Sequence, residues 1–248
     1  MRAWLLGSGG WISTSERATT SVLLRDGERA LVVDAGTGIH RLVTQPELLE
    51  GVETFDLVLT HFHLDHVVGL AYLPALGLQA TVWAPGRWLY GSASAALLAP
   101  LLCAPVSPFE AHEQPEIREL AEAEQTIGGF ILCTRAQPRH WSPTAGVRVG
   151  DELAIVTDTG YDEGTTELAE GVRHLLHEAW SSSVAPRSEE CDATGLAAGQ
   201  AANGSGAERL TLIHLNPLLA DQEPVLRDAQ RAFLSAQLGR DGAELLLD

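Results

Sequence analysis

Cysteine is scarce. Only Cys103, Cys133 and Cys191 occur in 248 residues, with no paired spacing, which argues against a cysteine-built zinc knuckle and for a reducing compartment. Long apolar runs are missing as well, since nothing approaches the roughly twenty residues that a membrane helix needs. The strand-like start at residues 1–6 is too short for the core of a signal peptide. A cytoplasmic location without membrane contact is the expectation. Basic charge is also in deficit: 16 Lys and Arg face 33 Asp and Glu, for a formal net charge of -17. Such a balance repels nucleic acid and anionic membrane at long range. Finally, the cluster Gly7-Ser8-Gly9-Gly10 lacks a third glycine, because Ile12 stands there, and no helix pattern follows. That excludes a dinucleotide loop and leaves a tight turn beneath a site.

What is present begins with size. A chain of this length with 45% hydrophobic residues can bury a large core, and one domain over residues 1–248 is expected. Its chemistry concentrates in His61-Phe62-His63-Leu64-Asp65-His66, which follows an apolar, β-branched run at residues 55–60 that reads as a buried parallel strand. In extended chain His61 and His63 point the same way. Asp65 and His66 then enter a helix through Val67, Leu70 and Leu73, and reach the same region from a second direction. This geometry suits two metal ions.

The remaining segments support α/β architecture. Residues 21–25 and 30–33 form strands around the Asp26-Gly27 turn, the second ending at Asp34, a carboxylate placed to orient a metal-binding histidine. Further strands are expected at 80–83, 127–134, 147–148, 153–156, 172–176, 210–213 and 244–247, and helices at 46–49, 88–102, 194–202 and 225–238, with a turn at 203–206. Three of the later strands run into polar clusters containing Asp158, His177 and His214, the strand ends where α/β sheets carry ligands. An acidic, proline-broken stretch from Glu110 to Glu124 reads as a solvated face, and His112 within it as a surface residue. His40 and His174 read as ordinary histidines.

Taken together, His61, His63, Asp65, His66, His140, Asp158 and His214 resemble the ligand set of the metallo-β-lactamase superfamily. The resemblance implies a four-layer αββα sandwich. It also implies that His61, His63 and His140 bind one ion, that Asp65, His66 and His214 bind the other, and that Asp158 bridges both. Two zinc ions are expected, with manganese or iron as alternatives, sharing a hydroxide nucleophile that Asp65 holds in line. An aspartate at 158, where lactamases commonly use cysteine, is similar to the ribonuclease Z and small phosphodiesterase branches. His177-Glu178-Ala179 resembles a ribonuclease Z motif. For His177 two readings stand side by side: a buried, hydrogen-bonded histidine, or a proton donor beside the metals. The short interval between His140 and Asp158 leaves no room for that branch's RNA-gripping arm, and no histidine stands near Asp192 where the branch has one. The expected activity is therefore hydrolysis of a small phosphodiester or cyclic phosphate. A lactone, ester or thioester hydrolase and a ribonuclease Z-like enzyme are the alternatives. Trp88, Trp141 and Trp180 are candidates for lining a ring pocket. Small members of the family commonly form homodimers.

Overall fold

In a computed structural model, residues 1–107, 110, 112–186 and 191–247 are described. Strand β1 (Arg2–Gly7) leads into the hairpin of β2 (Ser21–Asp26) and β3 (Arg29–Val33), closed by Gly27 at φ 60°. After α1 (His40–Thr44) come β4 (Thr54–Val58), α2 (Leu64–Val67), β5 (Ala80–Ala84), α3 (Gly86–Tyr90), α4 (Ser94–Leu102) and β6 (Glu116–Glu119). Strands β3 to β6 pair in parallel. The second half repeats the plan: antiparallel β7 (Glu124–Ile127), β8 (Phe130–Gln137), β9 (Thr144–Val149) and β10 (Leu153–Val156), then α5 (Glu163–Leu168), β11 (His174–Glu178), α6 (Gly195–Ser205), β12 (Arg209–Ile213), α7 (Glu223–Gln230) and β13 (Gln237–Leu238), with β10 to β13 parallel. Last, β14 (Ala243–Leu245) returns to pair with β1, Ala3 opposite Leu245. Two seven-stranded sheets result, in the order β14-β1-β2-β3-β4-β5-β6 and β13-β12-β11-β10-β9-β8-β7.

Period-two alternation explains the layering. On β1, Ala3 and Leu5 join Val22, Leu31, Val147 and Ile155 in the core between the sheets, while Trp4 and Leu6 face the opposite way and pack with Leu70, Leu73 and Leu98 from the helical layer. On the other sheet Ala154, Val156, Leu175 and Leu212 bury Ala198, Ala202 and Ala229 of α6 and α7. The expected αββα sandwich is thus present.

Several boundaries differ from the sequence expectation, each for a local reason. The apolar stretch 88–102 is two helices, because Gly91 takes a left-handed φ of 66° and ends α3. Residues 203–205 continue α6, which stops at Gly206, φ 70°. The pattern over 225–238 forms a helix only to Gln230, and Gln237–Leu238 pairs with β12 as an edge strand. Within 127–134, Gly128 and Gly129 at φ 55° and 85° turn β7 into β8. Part of the acidic stretch is β6, a charged sheet edge of the kind that resists strand addition. Among the described residues no helix is long and apolar enough to cross a membrane.

Candidate metal centre

Parallel strands β3, β4, β10, β11 and β12 end at one edge of the sandwich, and their loops meet there. Beyond β4, His61 is fully buried, and His66 follows on α2 after His63 caps it; the ring centroids of His61 and His63 lie 4.4 Å apart. Gly69 lets the chain after α2 press against the Asp34 loop, since a Cβ there would lie 2.3 Å from the Gly36 carbonyl oxygen. Across the sandwich, Asp158 follows β10 and His214 follows β12, at φ 51° and 48°; Asp34 after β3 sits at 61°. Each of these left-handed conformations costs a non-glycine residue roughly 1–2 kcal/mol. Such strain persists where the surroundings dictate a side chain's aim, and all three side chains aim at the same cluster.

The carboxylate of Asp158 divides that cluster. Its Oδ1 lies 3.7 Å from His61 Nε2, 3.8 Å from His63 Nδ1 and 3.6 Å from His140 Nε2. Its Oδ2 lies 3.1 Å from His66 Nε2 and 3.3 Å from His214 Nε2, and Asp65 Oδ2 is 3.4 and 3.3 Å from the same two nitrogens. The seven residues singled out in the sequence are therefore brought together, as two donor triplets on either side of one carboxylate.

Supporting contacts fix the rings. Asp34 Oδ2 is 2.8 Å from His66 Nδ1, and the Thr60 hydroxyl donates to Asp34 while lying 2.9 Å from His61 Nδ1. His140 Nδ1 meets the Cys191 carbonyl at 2.7 Å. Glu178 Oε2 is 3.1 Å from His214 Nδ1, while Ala193 N–H donates to Glu178 Oε1. Gly10 packs so closely beneath His214 that a Cβ would lie 2.6 Å from its ring. Trp11 N–H donates to Asp65 Oδ2 at 2.7 Å, and the Thr157 hydroxyl to Asp158 Oδ2 at 2.6 Å.

The electrostatics follow from burial and this grouping. Burial works against the charge on Asp158, but His214, His66 and His61 outweigh it and hold the carboxyl well below its usual range. Asp65 is lowered likewise, burial being overcome by His66 and His214. His61 is pushed down by burial and by neighbouring His66, which keeps it neutral. For His66 and His214 burial is outweighed by the surrounding carboxylates, and both are pushed up, His214 to about 10. A field that favours protons on two imidazoles favours cations between them.

The donor set fits divalent metal. His61 Nε2 and His66 Nε2 are buried without a hydrogen-bond partner, which is costly unless something else meets them. His61, His66 and Asp158, His63, His140 and Asp158, and Asp65, His66 and His214 each hold their donor atoms within 4.8 Å of one another. Imidazole and carboxylate are ligands of zinc and its neighbours.

A cavity of about 260 Å³ opens over the cluster, walled by Trp11, Trp141, Trp180 and Asp192. Trp141 and Trp180 thus lie where a ring pocket was expected; Trp88 is not in its lining. His177 is buried with its Nδ1 2.7 Å from the Glu178 carbonyl oxygen, burial pulls its pKa down to about 4, and it does not line the cavity. Alternation along β11 accounts for this: His177 shares a face with Leu175 and Ala179, which pack on the helices, whereas Glu178 shares the face of Leu176. Of its two readings, the geometry matches the buried histidine, and Glu178, assigned no role from sequence, is the residue that reaches the cluster. His112 lines a separate depression near Gln79 and Pro115. Trp11 and Thr60 were also missed, having no motif to mark them.

Known proteins agree with the architecture. The family model of the metallo-beta-lactamase superfamily matches residues 14–132. Ribonuclease Z of Halorubrum lacusprofundi is 26% identical, over 99% of this chain and 96% of its own length. Among solved structures, the metallo-beta-lactamase fold protein YhfI of Bacillus subtilis superposes with a TM-score of 0.82 at 18% identity, covering 98% of both chains. A diphosphatase of the PhnP family gives 0.75 at 18% identity, over 100% of this chain and 98% of its own. The chain has the metallo-β-lactamase fold. Its sequence is similar to the metallo-beta-lactamase superfamily model over residues 14–132 and to ribonuclease Z over nearly its whole length.

Proposed function

We propose that the chain is a metal-dependent hydrolase of small phosphodiesters or cyclic phosphates, working with two divalent ions, zinc by the chemistry of the donors. The observation that carries this reading is the division of Asp158: three imidazoles at Oδ1, and at Oδ2 the His66 and His214 nitrogens, which also flank Asp65 Oδ2. His61, His63 and His140 would hold one ion, Asp65, His66 and His214 the other, with Asp158 between. Bound there, such ions would supply an acidified water and positive charge for the developing anion. The protein's own groups do the rest. Asp65, pinned by the Trp11 N–H, accepts a hydrogen bond from the attacking water and keeps it in line. Asp34 and Glu178 hold the rings of His66 and His214.

Size and charge favour a small substrate. The cavity is small beside the roughly 300–1,000 Å³ of common ligand pockets, and the chain is strongly acidic. The names of the similar proteins, ribonuclease and diphosphatase, denote cleavage at phosphate. Metal analysis followed by a screen tests the reading: two ions per chain and turnover of bis(p-nitrophenyl) phosphate or cyclic nucleotides are expected, with Asp65→Ala inactive. Protein holding two ions that hydrolyses lactones or aryl esters and no phosphodiester would overturn it. Salt-sensitive retention on a structured RNA would instead favour a ribonuclease Z-like role.

A further inference from the structure

Indole surface is concentrated on the cavity in a way the metal cluster does not require. Trp11 and Trp141 stand at its rim, 53% and 79% exposed, and Trp180 lies buried below with its ring centroid 5.5 Å from that of His214. Burying an indole is among the most favourable apolar transfers a protein can make. Two indoles left in water on one rim, one beside His140 and one bonded through its backbone to Asp65, are placed to meet something else.

The position of Trp11 is imposed by its loop. Asp241 clamps the loop's base, accepting hydrogen bonds from Ser8 N–H at 2.9 Å and Ala18 N–H at 2.7 Å. Gly9 N–H donates to Ala18 O at 2.9 Å and Thr14 N–H to Arg17 O at 2.8 Å. On the arm of the loop that faces Asp65, Trp11 adopts φ 61°, a region a bulky side chain rarely occupies. The backbone is thus fixed at the wall of the cavity that Trp11 lines. Among the described residues no arginine lines the cavity. Apart from the ions, a substrate entering it meets carboxylates, imidazoles and flat aromatic faces.

We propose that Trp11 and Trp141 form an aromatic clamp that stacks a planar ring carried by the substrate, so that the site selects phosphate esters bearing a nucleobase or aryl group over alkyl ones. The proposal rests on the phosphodiester reading for its substrate class, but the clamp can be tested by binding alone. Zinc-loaded protein is titrated with adenosine 5′-monophosphate and with ribose 5-phosphate, which differ only in the ring. The nucleotide binds at least about fivefold more tightly, Trp141→Ala brings the two within about twofold, and Trp141→Phe keeps most of the gap. Equal affinities in the unmutated protein, no measurable binding of either ligand, or a gap that survives Trp141→Ala would overturn the clamp. If the gap is present and falls in Trp141→Ala while no diester is hydrolysed, the clamp stands and the phosphodiester reading falls.

Discussion

The two sides of Asp158 are built differently. At Oδ1, the imidazoles lean on neutral groups: His61 on the Thr60 hydroxyl and His140 on the Cys191 carbonyl, with Asp192 Oδ1 4.0 Å from His140 Nδ1, beyond hydrogen-bond reach. At Oδ2, a further carboxylate, Asp65, joins the donors, and both histidines are backed by carboxylates, His66 by Asp34 and His214 by Glu178. The His63 side chain on the first side is 36% exposed, whereas His66 is fully buried. A carboxylate behind an imidazole makes it a more basic ligand and fixes its tautomer. With two ions bound as proposed, the Oδ2 side would hold its ion more tightly, and the Oδ1 side, open to the cavity, would exchange first.

The largest expected effect comes from removing what the two sides share. Asp158→Ala should abolish binding of both ions and lower turnover at least about 10³-fold, because several kcal/mol of charge stabilisation disappear. Metal analysis checks it, and a variant retaining two ions would break the comparison at its root. Next, Glu178→Gln and Asp34→Asn should each weaken the tighter ion about 10- to 100-fold. Competition with a chelator, read as two successive release steps, would show the steps converging; a shift confined to the weaker step would reverse the assignment.

An effect on stability alone, with no loss of activity expected, contrasts His214 with His174, which is also buried on the second sheet. Among the described residues His174 meets the Thr211 hydroxyl and the Leu246 carbonyl rather than a carboxylate, and burial pulls it down to about 4. Below pH 6.5 the unfolded chain binds a proton that folded His174 refuses, so stability falls as pH drops from 6.5 through 4 and then levels. The loss is about 3 kcal/mol, and His177, also at about 4, adds a similar share. In His174→Gln, urea unfolding compared between pH 7 and pH 4 should show a loss smaller by that amount. An unchanged loss would mean that His174 titrates normally.

The contiguous part of the site was legible and the dispersed part only partly so. His61 to His66 sit within one loop, where strand alternation and one helical turn settle which side chains converge. Asp158 and His214 could be read as strand-end residues in a familiar order. Glu178 and His177 show the limit. The pair was visible, yet which of the two turns inward depends on the face of β11 that packs on α6, and helix packing is not written in four residues. The core strands were legible from alternation, while glycine-terminated helix ends and the edge strands β6, β7 and β13 were not, because exposed pairing leaves a weak apolar pattern.

By itself the sequence determined the chemistry on offer: imidazoles and carboxylates spaced for metal, aspartate at 158, few basic residues, and enough alternating apolar residues for two covered sheets. Those properties are local or compositional. Only the tertiary structure decided that Trp11 bonds to Asp65, that Asp158 offers one oxygen to each triplet, and that Glu178 rather than His177 reaches His214. Each depends on parallel strands held in register across the sheet and on loops closed over long stretches of chain. Such contacts are set by the packing of whole layers, which no short run of residues can specify.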